Sequence, residues 1–361
     1  MIDKWFSVLC LASAIACGSP KAADSSAAVK SPNTETPADE TETKAETPSP
    51  VRPISLTISD RVQPQAIPIG EYSGISWIGG NRYAVVNDKS KGSGLWTLVI
   101  PISDEGAIGE VRAEEAAANA SGESSADSEG VTYLSKTGTV LVSREGDQTV
   151  REFSLDGKAT GRQLAVPAEF AKDKIVANFG FESLTSSAAT GLVWTTTEKP
   201  LKADESSGLL RLQSFSIDKF QPVMQVDYRM ENPEMSASEA KAANAYVFGV
   251  PALAALDDGR LLVLEREVYV PNGSTFVKAL SSFTLMRIFL VDPVRDDSSP
   301  LKKVKVAEFS TSALNLANFE GMCLGPTLKD GSRALLLLAD SQGGKGGLVS
   351  ENIWLMKLKF N

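Results

Sequence analysis

The chain contains no histidine in 361 residues. That absence removes Ser-His-Asp and Cys-His catalysis, histidine phosphoenzyme chemistry and His-ligated zinc. Any catalyst has to be built from carboxylates, Lys, Arg, Tyr or an oxygen-ligated metal. Cysteine is nearly as scarce, with Cys10, Cys17 and Cys323 the full set of 3. Cys10 falls in an N-terminal leader and Cys17 at its end, so the mature domain is left with one thiol and no internal disulfide. Cys323 follows Met322 in an apolar run and reads as a small buried hydrophobe rather than a nucleophile. No apolar run is long enough to span a bilayer as a mature helix. Positive charge is also in deficit, with 36 Lys and Arg against 45 Asp and Glu. This balance argues against nucleic acid and against an anionic lipid surface as partners.

What is present begins with MIDKWFSVLCLASAIACGS. Lys4 precedes a short apolar stretch, Trp5 to Ala16, which stops at a Cys flanked by small residues. This is the layout of a secretory signal, assigned to residues 1–16. The ending AIAC resembles a bacterial lipobox, in which Cys17 is lipidated and becomes the new N-terminus. Residues 18–52 are rich in Ser, Thr, Pro, Ala and Glu and hold no aromatic side chain. Such a segment buries too little apolar area to offset its ordering entropy, so 17–52 reads as a lipidated Cys with a solvated tether. The expectation is an exported domain over residues 53–361, held by lipid at the bacterial cell envelope, on the outer membrane.

Within that domain one short phrase recurs. SEGVTYL begins at Ser128, FESLTSS at Phe181 and FEGMCLG at Phe319, with YSGISWI at Tyr72 and VPALAAL at Val250 as copies lacking the acid. Each is followed by a turn and a second, nearly continuous apolar run: YAVV, TVLV, LVW, LLVL and ALLLL. Every unit therefore predicts a β-hairpin whose second strand is covered on both faces. Further strand-like runs follow each hairpin, giving four strands per unit. The last unit lacks its fourth strand, and ISLTISD at 54–60 is placed to supply it and close a ring. The fold is predicted to be an all-β propeller of five four-stranded blades, with a sixth blade an alternative in the stretch 230–248. A β-sandwich is the other all-β solution, but it leaves the shared residue types unexplained. The chain is expected to act as a monomer.

In a propeller the start of a blade's first strand and the end of its second lie at one mouth of the central channel. The starting residues are Ser73, Glu129, Glu182 and Glu320, and the ending residues are Asp88, Glu145, Glu198, Glu265 and Asp340. Carboxylates gathered in this way repel, and their pKa values rise unless a cation sits among them. Calcium (Ca2+) suits such a site, because it accepts several oxygens with loose geometry. Glu129, Glu182, Glu320, Asp88 and Asp340 are the candidate ligands. Lys89, Arg144, Lys199 and Arg266 each neighbour a second-strand acid, so local ion pairs are a competing way to neutralise the ring. For each Glu of the repeated phrase, ligation and a structural role in bracing the next blade both remain open.

The order SGISWI, SEGVTYL with VSREG, NFGFESL with TTEKP, LLVLERE, and ANFEGMCLG with LLLLADSQGG resembles the phytase-like family, described as esterase-like activity of phytase. The resemblance covers about residues 60–360. It implies a bacterial secreted or lipoprotein propeller that hydrolyses a small ester or phosphate ester. The Arg-His-Gly motif of histidine acid phosphatases is missing, and the Gly-rich 341–347 lacks P-loop spacing and reads as a rim loop. Geometry assigns the roles. Glu145, Glu198 and Glu265 are candidate general bases or acids, with Arg266 beside them. Arg144, Lys199 and Arg266 are candidates to hold an anionic substrate. The alternative function is a surface module that binds a glycan, peptide or protein partner.

Overall fold

The computed structural model describes residues 53–68, 70–88, 94–114, 127–312, 316–341 and 351–361. The expectations for Cys17, the signal and tether segments, Lys89 and residues 342–347 of the Gly-rich loop lie outside the described residues. Strand β1 (Ile54–Val62) is followed by a first blade of β2 (Tyr72–Gly79), β3 (Arg82–Asn87), β4 (Leu95–Val99) and β5 (Arg112–Ala113). The second blade holds β6 (Ser128–Leu134), β7 (Thr139–Arg144), β8 (Thr149–Ser154) and β9 (Ala159–Gln163). The third holds β10 (Phe181–Ser187), β11 (Leu192–Thr197), β12 (Leu209–Ser216) and β13 (Pro222–Arg229). The fourth holds β14 (Ala245–Ala255), β15 (Leu261–Val270), β16 (Phe283–Val291) and β17 (Lys303–Ser312). The fifth is built from β18 (Asn318–Thr327), β19 (Arg333–Asp340) and β20 (Asn352–Phe360), completed by β1.

All five sheets are antiparallel, with four strands each. Strand β1 pairs with β20 from Ile54 opposite Phe360 to Val62 opposite Ile353, so the segment ISLTISD closes the ring as its sequence suggested. The innermost strands β2, β6, β10, β14 and β18 contact one another in a closed circuit. The blade count is five. The stretch considered for a sixth blade forms instead a short helix, α1 (Ala237–Ala242), and the start of β14. Ser236 caps that helix by accepting from the Glu239 N–H while Glu239 reaches back to the Ser236 N–H, a reciprocal box that commits the segment to a helical turn.

The second strand of each blade is buried along nearly its whole length, which explains its continuous apolar sequence. Alternate residues of one strand face opposite seams. Leu335 and Leu337 of β19 pack toward the fourth blade with Leu262, Leu264 and Ile288, while Leu336 and Leu338 pack toward the first with Tyr83 and Val85. Three further apolar clusters fill the remaining seams. The core is thus a ring of five sheet-on-sheet interfaces rather than one central mass. Cys323 lies in the seam between the fifth and first blades, a free and buried thiol whose pKa burial pushes up to about 12.

Candidate functional site

The recurrent phrase proves to be a β-bulge. In every blade the register of the innermost strand against the second strand slips at the same place. Phe181 faces Thr197 and Ser183 faces Thr196, which leaves Glu182 as the extra residue. Phe319 faces Ala339 and Gly321 faces Leu338, which leaves Glu320. The same slip falls at Ser73-Gly74, at Glu129-Gly130 and at Val250-Pro251. A bulge re-aims the residue it carries, and here it presents Ser73, Glu129, Glu182 and Glu320 at one mouth of the channel, whereas Val250 packs into the apolar seam between the third and fourth blades. The glycine beside the acid has its own reason. A Cβ on Gly74 would lie 2.6 Å from the Glu129 carbonyl oxygen, and one on Gly130 would lie 2.8 Å from the Leu184 nitrogen. Only a residue without a side chain lets adjacent innermost strands come this close.

The fourth blade carries Val250 where three others carry Glu, and an arginine occupies that sector. Arg266 of β15 donates from Nη2 to Glu198 Oε1 at 2.6 Å and from Nη1 to Glu320 Oε1 at 2.7 Å. Asn318 Nδ2 also donates to Glu320 Oε1, at 2.8 Å. One guanidinium therefore bridges the third and fifth blades. Glu198 is fixed further by its backbone, which accepts from the Val250 N–H at 3.0 Å. The neighbouring Lys199 rests its ammonium 3.4 Å from the Phe179 ring centroid. Glu145 Oε1 accepts from the Gly180 N–H at 2.8 Å and so clasps the third blade from the second.

Among the described residues carboxyl groups outnumber cations here. Glu129 is pushed well above the usual carboxylate range, first by burial and then by Asp88, Glu320 and Glu145, although the Ser73 hydroxyl pulls it back. Burial followed by Glu129, Glu198, Glu145 and Glu320 raises Glu182 in the same way. Burial also raises Glu198, against the opposing pull of Arg266 and Lys199. For Arg266 burial disfavours the charge, but Glu198 and Glu320 outweigh it and hold the guanidinium charged. Lys199 is lowered by burial and by Arg266, with Glu198 acting the other way. Among the described residues Asp88, Glu129, Glu145, Glu182, Glu198 and Glu320 thus share one electrostatic environment with two cations, Arg266 and Lys199.

One of the residues singled out in the sequence is engaged elsewhere. Glu265 faces the seam between the third and fourth blades, where it accepts from Tyr228 Oη at 2.6 Å, Lys303 Nζ at 2.9 Å and the Glu231 N–H. Adjacent residues on a strand face opposite sides, so the arrangement that turns Arg266 to the channel turns Glu265 and Glu267 away. Glu267 escaped the sequence reading; it accepts from the N–H groups of Glu234 and Met235 and from Tyr246 Oη. Arg144 has its Nε 3.7 Å from Asp147 of its own blade. Asp340 is buried at the end of β19, in register with Asn318. Asn318 also went unnoticed, although it lies two residues before Glu320, the spacing that shares a face on a strand.

Among the described residues no three acidic or cysteine side chains form a group placed to hold a metal ion. Glu198 and Glu320 turn an oxygen to Arg266 instead. The arrangement as it stands offers a different chemistry, in which carboxyl groups that favour their protonated form lie beside others that face a fixed cation. That is a proton donor and acceptor set assembled without histidine.

No curated protein matches the chain. Among solved structures it is similar to a streptogramin B lyase, at 12% identity over 85% of this chain and 98% of that one, with a TM-score of 0.35. It is similar to a DUF4221 family member from Bacteroides vulgatus, at 8% identity over 85% and 99%, TM-score 0.40. It is also similar to the hydrazine synthase of Kuenenia stuttgartiensis, at 10% identity over 75% and 65%, TM-score 0.33. At those scores none of the three bears on the site. The model of the phytase-like family, esterase-like activity of phytase, matches residues 67–342, a span that takes in all five innermost strands, and the chain belongs to that family.

Proposed function

We propose that the domain hydrolyses carboxylic esters at the carboxylate cluster around Arg266. The observation that carries the reading is the pair Glu129 and Glu182, whose pKa values are raised by burial and by the neighbouring carboxylates, so that the acids of the cluster share protons, one group holding a proton beside another that is ionised. In the proposed step Glu182 donates its proton to the leaving oxygen while an ionised Glu129 takes one from the attacking water. The water oxygen bonds to the carbonyl carbon, the bond to the alcohol breaks, and the protons end on Glu129 and on the alcohol. Arg266 with Glu198 and Glu320, and Glu145 on Gly180, are positioning groups in this scheme. Among the described residues six carboxyl groups share the cluster with two cations, which favours a neutral ester over a phosphate ester, since a phosphate dianion meets net repulsion.

Calcium belongs to the proposal only as a cation the excess acid would attract. To be held by Glu129, Glu182 and Glu320 it has to compete with Arg266 for Glu320, so no step is routed through it. Export and anchoring through lipid on Cys17 are likewise proposed, supported by the leader-like residues 1–16 and the polar composition of 18–52. The test is turnover of p-nitrophenyl acetate and p-nitrophenyl phosphate by the full-length chain and by Glu182→Gln. The acetate should be the better substrate, and the variant should lose on the order of 10²-fold. Preference for the phosphate would overturn the charge argument. Turnover of neither would overturn the hydrolase and favour a surface module that binds a partner.

A further inference from the structure

The opposite mouth of the channel, where each innermost strand turns back, opens into a cavity of about 340 Å³. Its floor is the apolar set Ile75, Val131, Leu184 and Met322, each at or just past the bulge in its strand and each buried. These side chains separate the cavity from the acid cluster, whose residues stand two strand positions earlier, roughly 7 Å at ~3.3 Å per strand residue. Most of the hydroxyls around the cavity are already used to stitch blade to blade. Ser76 Oγ accepts from the Tyr133 N–H at 3.0 Å, Thr132 and Ser186 share a hydrogen bond of 2.8 Å, and Thr185 Oγ1 accepts from the Ala255 N–H at 2.9 Å. The walls are therefore rigid before any ligand arrives.

Two polar groups on the lining are not satisfied in this way. Ser187 Oγ is buried with no hydrogen-bond partner, and so is Arg333 Nε. The Arg333 guanidinium carbon lies 5.5 Å from the centroid of the Trp77 ring, and its Nη1 makes one long contact of 3.4 Å to Thr327 Oγ1. A guanidinium N–H withdrawn from water without an acceptor is a strong attractor for an anionic oxygen. Trp77, Leu324 and the floor residues supply an apolar and aromatic surface next to it. Asp257 lines the same cavity, so the anion has to carry a single charge.

We infer that this far mouth is a binding site for a small monocarboxylate with an apolar or aromatic body. The carboxylate pairs with the Arg333 guanidinium, and the body lies over Trp77 and the ring of Ile75, Leu184 and Met322. At about 30 Å³ per water the space equals roughly eleven water molecules, which suits an acid of about ten non-hydrogen atoms. The inference does not depend on catalysis at the other mouth.

The experiment is calorimetric titration of the full-length chain with 3-phenylpropionate and, separately, with 3-phenylpropionamide. One-to-one binding of the acid is expected, with the amide at least about tenfold weaker, since it lacks the charge that pairs with Arg333. Arg333→Gln should lose a similar factor, while Glu182→Gln at the opposite mouth should bind as wild type does. No binding of the acid, equal binding of acid and amide, or dependence on Glu182 in place of Arg333 would overturn the inference. The acid-to-amide comparison needs no variant, so it stands even if Arg333→Gln misfolds.

Discussion

Replacing Glu182 by Gln should make the domain more stable at neutral pH and less active. An unfolded glutamate titrates near about 4.3, whereas folding places Glu182 well above that by burial and by the charges of Glu129, Glu198, Glu145 and Glu320. Between its unfolded and folded values the native state holds the proton that the unfolded state has released. Stability is then highest below the unfolded value and is lost as pH rises through the folded one. Each pH unit by which Glu182 is raised is worth about 1.4 kcal/mol at neutral pH, or roughly 2 °C in Tm for a domain of this length. Gln keeps the shape of the protonated side chain and cannot ionise, so it removes that penalty. Thermal and denaturant unfolding of wild type and Glu182→Gln should be measured across pH 4–8. Wild type should weaken steadily as pH rises above the unfolded value, with the variant shallower and more stable at pH 7. Equal pH slopes in the two proteins would refute the argument that the cluster strains the fold.

Arg266→Met should be far more damaging, because it leaves Glu198 and Glu320 buried without their cation. A loss of about 3–5 kcal/mol at neutral pH is expected, shrinking as pH falls and the carboxyls protonate, and circular dichroism against temperature will read it. Calcium, if it enters the acid cluster, should stabilise wild type by about 2.7 kcal/mol at a hundredfold excess over Kd and stabilise Glu182→Gln less. A Tm indifferent to both calcium and chelator would end the calcium proposal. Cys17→Ser should move the protein from the membrane fraction to the soluble exported fraction; unchanged fractionation would refute the anchor.

The architecture was legible because it is written in periodic patterns. Five hairpin phrases with continuous second strands specify five blades, and ISLTISD matched the missing strand of the fifth. The placement of the acids was only half legible. That Glu129, Glu182 and Glu320 start their strands could be seen, but a bulge is a property of register between two strands and leaves no mark in either alone. The alternation in Leu264-Glu265-Arg266-Glu267 did hold the information that Glu265 and Arg266 face opposite sides. Nearness in sequence alone places both at one mouth, whereas the strand's alternation turns them apart. The helix at 237–242, where a sixth blade is the sequence alternative, has a signal only in the spacing of Ser236 and Glu239. The far-mouth cavity had no sequence signal, because it arises from the side-chain sizes of five separate strands summed around one axis.

The pairing of β1 with β20 also sets the order in which the domain can be assembled. Synthesis runs from the N-terminus, so β1 is made first and its partner, Asn352–Phe360, only after the other four blades. Until then β1 presents unpaired backbone groups, the kind of edge that recruits strands from other chains. Its closing contacts span almost the whole domain, and contacts of such long range form slowly. Translation arrest or proteolysis that removes β20 should therefore yield more than a shortened propeller. The product is a chain with both a free β1 and an uncovered β19, two edges that the missing strand joins in the intact ring and that are left open to strands of other chains.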